Sequence, residues 1–102
     1  MTGPRPPRKH VINREEAAGF LRRRPSALTQ RGGHFPREVI DQLLAQPNCA
    51  GIRFYFGSKS DGSLALVLVG IDANEKDMTD GIMVDDHFPC PPFCDDSSTL
   101  LR

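Results

Sequence analysis

Ile52-Arg53-Phe54-Tyr55-Phe56, then Gly57-Ser58-Lys59-Ser60-Asp61-Gly62-Ser63, then Leu64-Ala65-Leu66-Val67-Leu68-Val69 is the stretch on which the fold turns. In its first part Ile52, Phe54 and Phe56 fall on one face and Arg53 and Tyr55 on the other, the period of two of a strand. The middle part is turn chemistry, with Asp61-Gly62 as the expected tight corner. The last part is β-rich and apolar on both faces, which suits a central strand covered on both sides. Strand, Gly-containing loop, strand spells a β-hairpin.

An isolated hairpin is marginal in water, so neighbours are required. Downstream, Asp72 to Gly81 forms a second turn region, and Gly81-Ile82-Met83-Val84 offers a short third strand. Upstream, Phe35, Val39, Ile40, Leu43 and Leu44 recur at helical spacing after Pro36, the stripe that a helix lays on a sheet. Gln46-Pro47-Asn48 ends that helix. An earlier, shorter helix starts at Asn13, an N-cap with Glu16 three residues on, and stops near Arg23 ahead of Pro25. The cover on the second face of the central strand is open at this level: the first helix, a tail or another copy of the chain.

The expected architecture is therefore α+β, two helices packed on a small antiparallel sheet of about three strands. It occupies residues 13–94, between a flexible, basic, Pro-rich arm (1–12) and a polar tail (95–102). A chain of 102 residues holds one domain and one core cluster. Its low apolar fraction of 38%, with nine prolines and nine glycines, fits ends that lie outside that core. No apolar segment follows the basic N-terminus, and the run Leu64–Val69 is far short of the ~20 residues of a membrane span. Three cysteines, an odd number, fit a reducing compartment, so the expected location is the cytoplasm, with no membrane partner.

The net charge is zero, yet it is divided. Residues 1–48 hold nine Lys and Arg against four acids, and residues 49–102 hold four against nine. Halves of charge +5 and −5 can attract each other within one molecule or between copies. Arg22-Arg23-Arg24 stands at a helix end without interleaved aromatics, which argues against nucleic acid.

Chemistry-bearing clusters are few. Cys90-Pro91-Pro92-Phe93-Cys94 is the most distinctive peptide, with His87 before it and Cys49 at the start of the first strand. Cys49, His87, Cys90 and Cys94 make a candidate zinc set. Against it, Pro91 and Pro92 have no N–H to support thiolates, and two prolines favour an extended segment. Reduced structural thiols are the favoured reading; a disulfide, with Cys49 or between Cys90 and Cys94, is the next, and zinc the third. Asp72-Ala73-Asn74-Glu75-Lys76-Asp77 starts like a calcium loop but has Lys76 and Asp77 where a ligand and a glycine belong, so it reads as a solvated turn. Gly32-Gly33-His34 before a helix lacks a phosphate-loop pattern. His34 as a general base has no nucleophile at local spacing, which leaves a small hydrolase as a distant alternative.

The segments Gln46–Gly57, Leu66–Asp72 and Pro89–Cys94 resemble an uncharacterised family of small bacterial proteins that end in Cys-Pro-Pro-aromatic-Cys. The resemblance runs from the second helix to Cys94 and leaves out the arginine-rich arm. It implies one compact bacterial domain and brings no activity or catalytic residue with it. The function expected from the residues is a non-enzymatic interaction or self-assembly module, with the chain itself as the first partner and a heterologous protein as the second. Arg22, Arg23, Arg24, Arg53 and Tyr55 are its candidate interface residues. The alternative is a thiol-based or zinc-binding module on Cys49, Cys90 and Cys94.

Overall fold

The computed structural model describes residues 5–8 and 10–100. The expected arm and tail run partly outside these residues, at 1–4, Lys9 and 101–102. In chain order the elements are α1 (Arg14–Arg22), β1 (Gly32–His34), α2 (Arg37–Leu44), β2 (Gly51–Ser58), β3 (Leu64–Ile71), β4 (Met83–Val84) and β5 (Phe88–Cys90). The class is α+β, as the sequence patterning requires. The chain divides into two compact units, one running up to Arg31 and resuming at Asp95, the other Gly32–Cys94. The expected single span 13–94 thus meets a boundary between Arg31 and Gly32.

In the first unit, α1 begins where its cap dictates. The Asn13 side chain accepts from the Glu16 amide at 2.8 Å, and the Glu16 carboxylate accepts from the Asn13 amide at 3.4 Å. This reciprocal capping box satisfies two N–H groups that the first turn leaves without helical partners. Glu15 and Glu16 sit at the positive end of the helix dipole and Arg22 at its negative end. Ala18 and Gly19 are its buried residues.

The second unit is built on the hairpin. β2 and β3 pair antiparallel from Gly51↔Ile71 to Ser58↔Leu64, and β4 adds to the far side of β3 through Leu68↔Val84 and Val69↔Met83. The order is β2-β3-β4, so β3 is central. The corner is where Asp61-Gly62 places it: Gly62 has φ +87°, a conformation that costs little without a Cβ. Asp61 accepts from the amide and the hydroxyl of Ser63, closing the loop. Ala65, Leu68, Val69 and Gly70 of β3 are buried, Val69 at 2% exposure.

α2 packs against β2 and β3. Leu43 is wholly buried, while Phe35, Val39 and Ile40 are half-buried and Leu44 is exposed, so the stripe in contact is narrower than the sequence pattern. Pro36 is the N-cap and lies just outside the helix. Gln46, beyond the last turn, joins helix to sheet. Its Nε2 donates to the Leu43 carbonyl at 2.9 Å, and its Oε1 accepts from the Ile82 amide at 2.9 Å. A Cβ on Gly81 would collide with that Oε1, and one on Gly70 would lie 3.0 Å from the Nε2. Two glycines therefore make room for one glutamine.

A second, two-stranded sheet was not in the sequence pattern. β1 pairs antiparallel with β5, Gly32↔Cys90 to His34↔Phe88, although Gly32-Gly33 reads as a breaker. The missing side chain explains it: a Cβ on Gly33 would run into the His87 ring and lie 2.8 Å from the Phe88 carbonyl. Here glycine permits close strand approach instead of ending structure.

The Leu43 side chain is the test of this core. Leu43→Ala should lower stability by about 2–5 kcal/mol, a Tm loss of roughly 10 °C or more in a domain this small. Leu43→Met should cost less than about 1.5 kcal/mol. Thermal melts followed by circular dichroism measure both, and equal melting of Leu43→Ala and the parent would refute the assignment.

Candidate functional site

Two side chains of β2 meet on one carboxylate. The Arg53 guanidinium donates to Asp77 Oδ1 at 2.7 Å, and the Tyr55 hydroxyl donates to Asp77 Oδ2 at 2.5 Å. The backbone sets this up in two steps. Strand alternation puts Arg53 and Tyr55 on one face of β2. Asp77 reaches that face because it bridges Ile71 at the end of β3, and the Met78 amide donates to the Gly70 carbonyl at 2.9 Å. The Asp72 carboxylate accepts from the amides of Asn74 and Lys76 at 2.8 and 3.0 Å, folding the intervening turn. That carboxylate serves the backbone, as expected for a solvated turn.

The group's electrostatics follow from these contacts. The Tyr55 hydrogen bond, then the Arg53 cation, hold the Asp77 carboxyl below its usual range, against partial desolvation. The bond to Asp77, helped by desolvation, raises the Tyr55 hydroxyl above its ordinary value, and Arg53 pulls weakly the other way. Arg53 keeps its proton more firmly beside Asp77. A second pair, Lys59 to Asp86 at 2.5 Å, ties the hairpin corner to the segment between β4 and β5. Its bond to Lys59 lowers the Asp86 carboxyl. Both cations in and beside β2 are neutralised by acids of the same unit.

The opposite face of β2 is aromatic and open. Phe54 is 57% and Phe56 72% exposed, with ring centroids 5.6 Å apart in an edge-to-face arrangement. Ile82 and Met83, at β4, are exposed too. A second aromatic group lies on the small sheet, where His34 stacks on Phe88 at 5.0 Å and Phe93 meets Phe88 edge-on at 5.4 Å. His34, the candidate general base, is thus an exposed ring stacked on phenylalanine.

The other expected site residues take no part in the contacts of this group. Arg22 closes α1 and Arg23 is its C-cap, with its guanidinium 5.7 Å above the Phe20 ring; Arg24 follows, and all three are exposed. They belong to the first unit, whereas Arg53 and Tyr55 belong to the second. Of the four zinc candidates, Cys90 and Cys94 form a disulfide with Cα atoms 4.7 Å apart. This differs from the favoured reduced thiols and from an extended proline segment. Both Cys90-Pro91 and Pro91-Pro92 are cis, and the Phe93 amide reaches back to the Pro89 carbonyl at 2.8 Å. His87 is buried beneath Gly33, and the half-buried Cys49 donates its thiol to the Gly51 carbonyl at 3.3 Å. Among the described residues, no three or more His, Cys, Asp or Glu are grouped as metal ligands would be. No helix among them is long and apolar enough to cross a membrane.

Asp77 is the residue that sequence reading missed. Its acid side chain opposite in sign to Arg53 was visible, but the turn that carries it back to β2 was not. No protein-family model, no curated protein and no solved structure matches the chain.

Tyr55 is the only tyrosine and there is no tryptophan, so alkaline absorbance titration reads this one hydroxyl. Its midpoint should lie above the ordinary value near 10. Asp77→Asn should bring it down. The signs follow from linkage: the lowered Asp77 stabilises the fold above its unfolded pKa and loses that contribution as pH falls. The raised Tyr55 stabilises below its unfolded pKa and loses the contribution as pH rises past its folded value. Stability from this group should therefore be flat from roughly pH 5 to 9 and fall at both ends. A tyrosine midpoint indifferent to Asp77→Asn would show that the bond does not persist in solution.

Proposed function

We propose that this chain is a non-enzymatic self-association module. The single observation behind this reading is the pair Phe54 and Phe56, open to solvent on a regular strand of a three-stranded sheet. Burying one phenylalanine from water is worth about 1.5–3 kcal/mol, and two adjacent rings beside exposed Ile82 and Met83 form a patch that association would cover. The partner is another copy of the chain, and a heterologous protein is the second choice. The proposed location is the cytoplasm, on the sequence grounds given above.

The Arg22–Arg24 cluster enters this proposal as a secondary, charge-based contact with the acidic half of another copy. Salt separates the two contributions. An apolar contact withstands added salt, whereas one between opposite charges weakens as the Debye length shortens to about 3 Å at 1 M.

The Cys90–Cys94 disulfide favours a second reading, a thiol-based module. In a reducing compartment the pair would stand as two thiols and in an oxidising one as a disulfide. Zinc held by Cys49, Cys90, Cys94 and His87 would require the reduced state, since thiolates are the ligands.

Light scattering coupled to gel filtration tests the first reading. The parent protein should show a mass above the monomer that rises with concentration and withstands salt, and Phe54→Lys with Phe56→Lys should return it to the monomer. A parent that stays monomeric at the highest soluble concentration refutes the reading. A mass that falls with salt and with Arg22–Arg24 changed to Glu would move the contact to the charged halves. Thiol titration of the native, unreduced protein tests the second. One reactive thiol, Cys49, should rise to three after reduction; three at the outset would remove the disulfide, and zinc analysis of the reduced form would then decide the metal alternative.

A further inference from the structure

The backbone of β2 has a direction that its side chains do not reveal. At the hairpin corner the Lys59 amide donates to the Ser63 carbonyl at 2.8 Å, and the Gly62 amide to the Lys59 carbonyl at 2.9 Å. Lys59 and Ser63 are thus a hydrogen-bonded pair. Bonded and non-bonded pairs alternate along an antiparallel ladder. Gly57/Ala65, Tyr55/Val67 and Arg53/Val69 are then bonded pairs, and the N–H and C=O groups of Ile52, Phe54, Phe56 and Ser58 point away from β3. β2 is at the edge of its sheet, and all five residues from Phe54 to Ser58 are exposed. The result is an unpaired row of donors and acceptors under two exposed phenylalanines.

Edges of this kind are ordinarily blunted by proline, a bulge, an inward charge or a free lysine. β2 has no proline and runs in unbroken register with β3 over eight residues. Its one charge, Arg53, is held by Asp77, and the lysine that follows it, Lys59, is held by Asp86. No free cation on the strand opposes a second strand.

We infer that the outer edge of β2 pairs antiparallel with β2 of a second copy, about a two-fold axis at Tyr55. The inference rests on the self-association reading and names its surface and register. A symmetric pairing must match outward-facing residues with outward-facing residues. Centred on Tyr55, Ile52 meets the partner's Ser58 and Phe54 meets the partner's Phe56, each pair exchanging two bonds, about eight in all. Centred one residue earlier, on Phe54, fewer outward groups of β2 find partners. In the Tyr55 register Arg53 stands opposite the partner's Gly57, so like charges never face each other. Directly opposed residues share a face, so Phe54 and Phe56 of both copies form one aromatic row, with Cβ atoms of opposed pairs about 4.5–5.5 Å apart. The two three-stranded sheets become one continuous sheet, which removes the open edge from both.

Amide hydrogen exchange on the full chain, followed by NMR at low and high protein concentration, tests this. The amides of Ile52, Phe54, Phe56 and Ser58 should slow at least about tenfold on association, while those of Arg53, Tyr55 and Gly57, already bonded to β3, change little. Oligomeric mass with concentration-independent exchange at those four amides overturns the edge pairing while leaving self-association in place. Absence of any oligomer overturns both. The register has its own readout. In a Cys49→Ser background, Tyr55→Cys should form a covalent dimer on mild oxidation, since opposed Cβ atoms lie within disulfide reach. Arg53→Cys, placed opposite glycine, should not. The reverse result refutes the axis at Tyr55.

Discussion

Among the described residues, β3 is the only strand with neighbours along both edges, and the second unit depends on covering it. Its residues alternate between two faces that are both apolar, so neither can be left to water without loss. β2 and β4 take its edges, and α2, on which Leu43 is wholly buried, packs against β2 and β3. Gln46 extends the same logic into hydrogen bonding, since one amide side chain satisfies both the last turn of α2 and the approach to β4. Gly70 and Gly81 make room for that side chain: a Cβ on Gly81 would meet its Oε1, and one on Gly70 its Nε2 and the Cys49 sulfur. A small core leaves little redundancy, and the polar staple lies at the point where helix and sheet would otherwise separate.

Much of this was legible in the residues, for identifiable reasons. The hairpin was readable because period-two alternation and Asp61-Gly62 are short-range signals that agree. α1 was readable from Asn13 and Glu16, whose reciprocal bonds form within one turn. What was not legible depends on distant pairing. The β1–β5 ladder joins residues far apart in sequence, and its enabling feature is the absence of a side chain at Gly33, which reads equally as a turn. The Cys90–Cys94 closure ran against the extended conformation that two prolines favour, since both prolyl bonds are cis. In the sequence Asp77 stands where a calcium loop needs its glycine, and so reads as one more acid of a solvated turn. Its partners Arg53 and Tyr55 were singled out from their strand face, but no local spacing connects them to an acid beyond the next strand.

The charge division between the halves of the chain takes on a different meaning once positions are known. Much of the acidic excess lies in the loops after β3 and β4, and two of those acids are used within their own unit, Asp77 on Arg53 and Tyr55 and Asp86 on Lys59. Ion pairs open to solvent, as Lys59–Asp86 is on its Asp86 side, add little to stability, and Arg53–Asp77 is only part-buried. Their consequence is for the surface: they tie the cations in and beside β2 to loops of their own unit.

That consequence bears on why the strand is open at all. A free lysine on an edge deters pairing because approach of a second strand must desolvate it or set it against a like charge. When the cation is already bonded to a carboxylate of its own chain, approach meets a neutral pair, and the deterrent is gone while the residue remains. Two such neutralisations, at Arg53 inside β2 and at Lys59 at its end, leave a strand with the composition of a guarded edge and the electrostatics of an unguarded one. Phe54 and Phe56 then supply an apolar gain from association that the isolated sheet cannot realise, because nothing in a three-stranded layer reaches over them. Neutral backbone, neutralised cations and exposed rings on one strand all favour the same partner surface, one with the same three properties. A second β2 has them by construction.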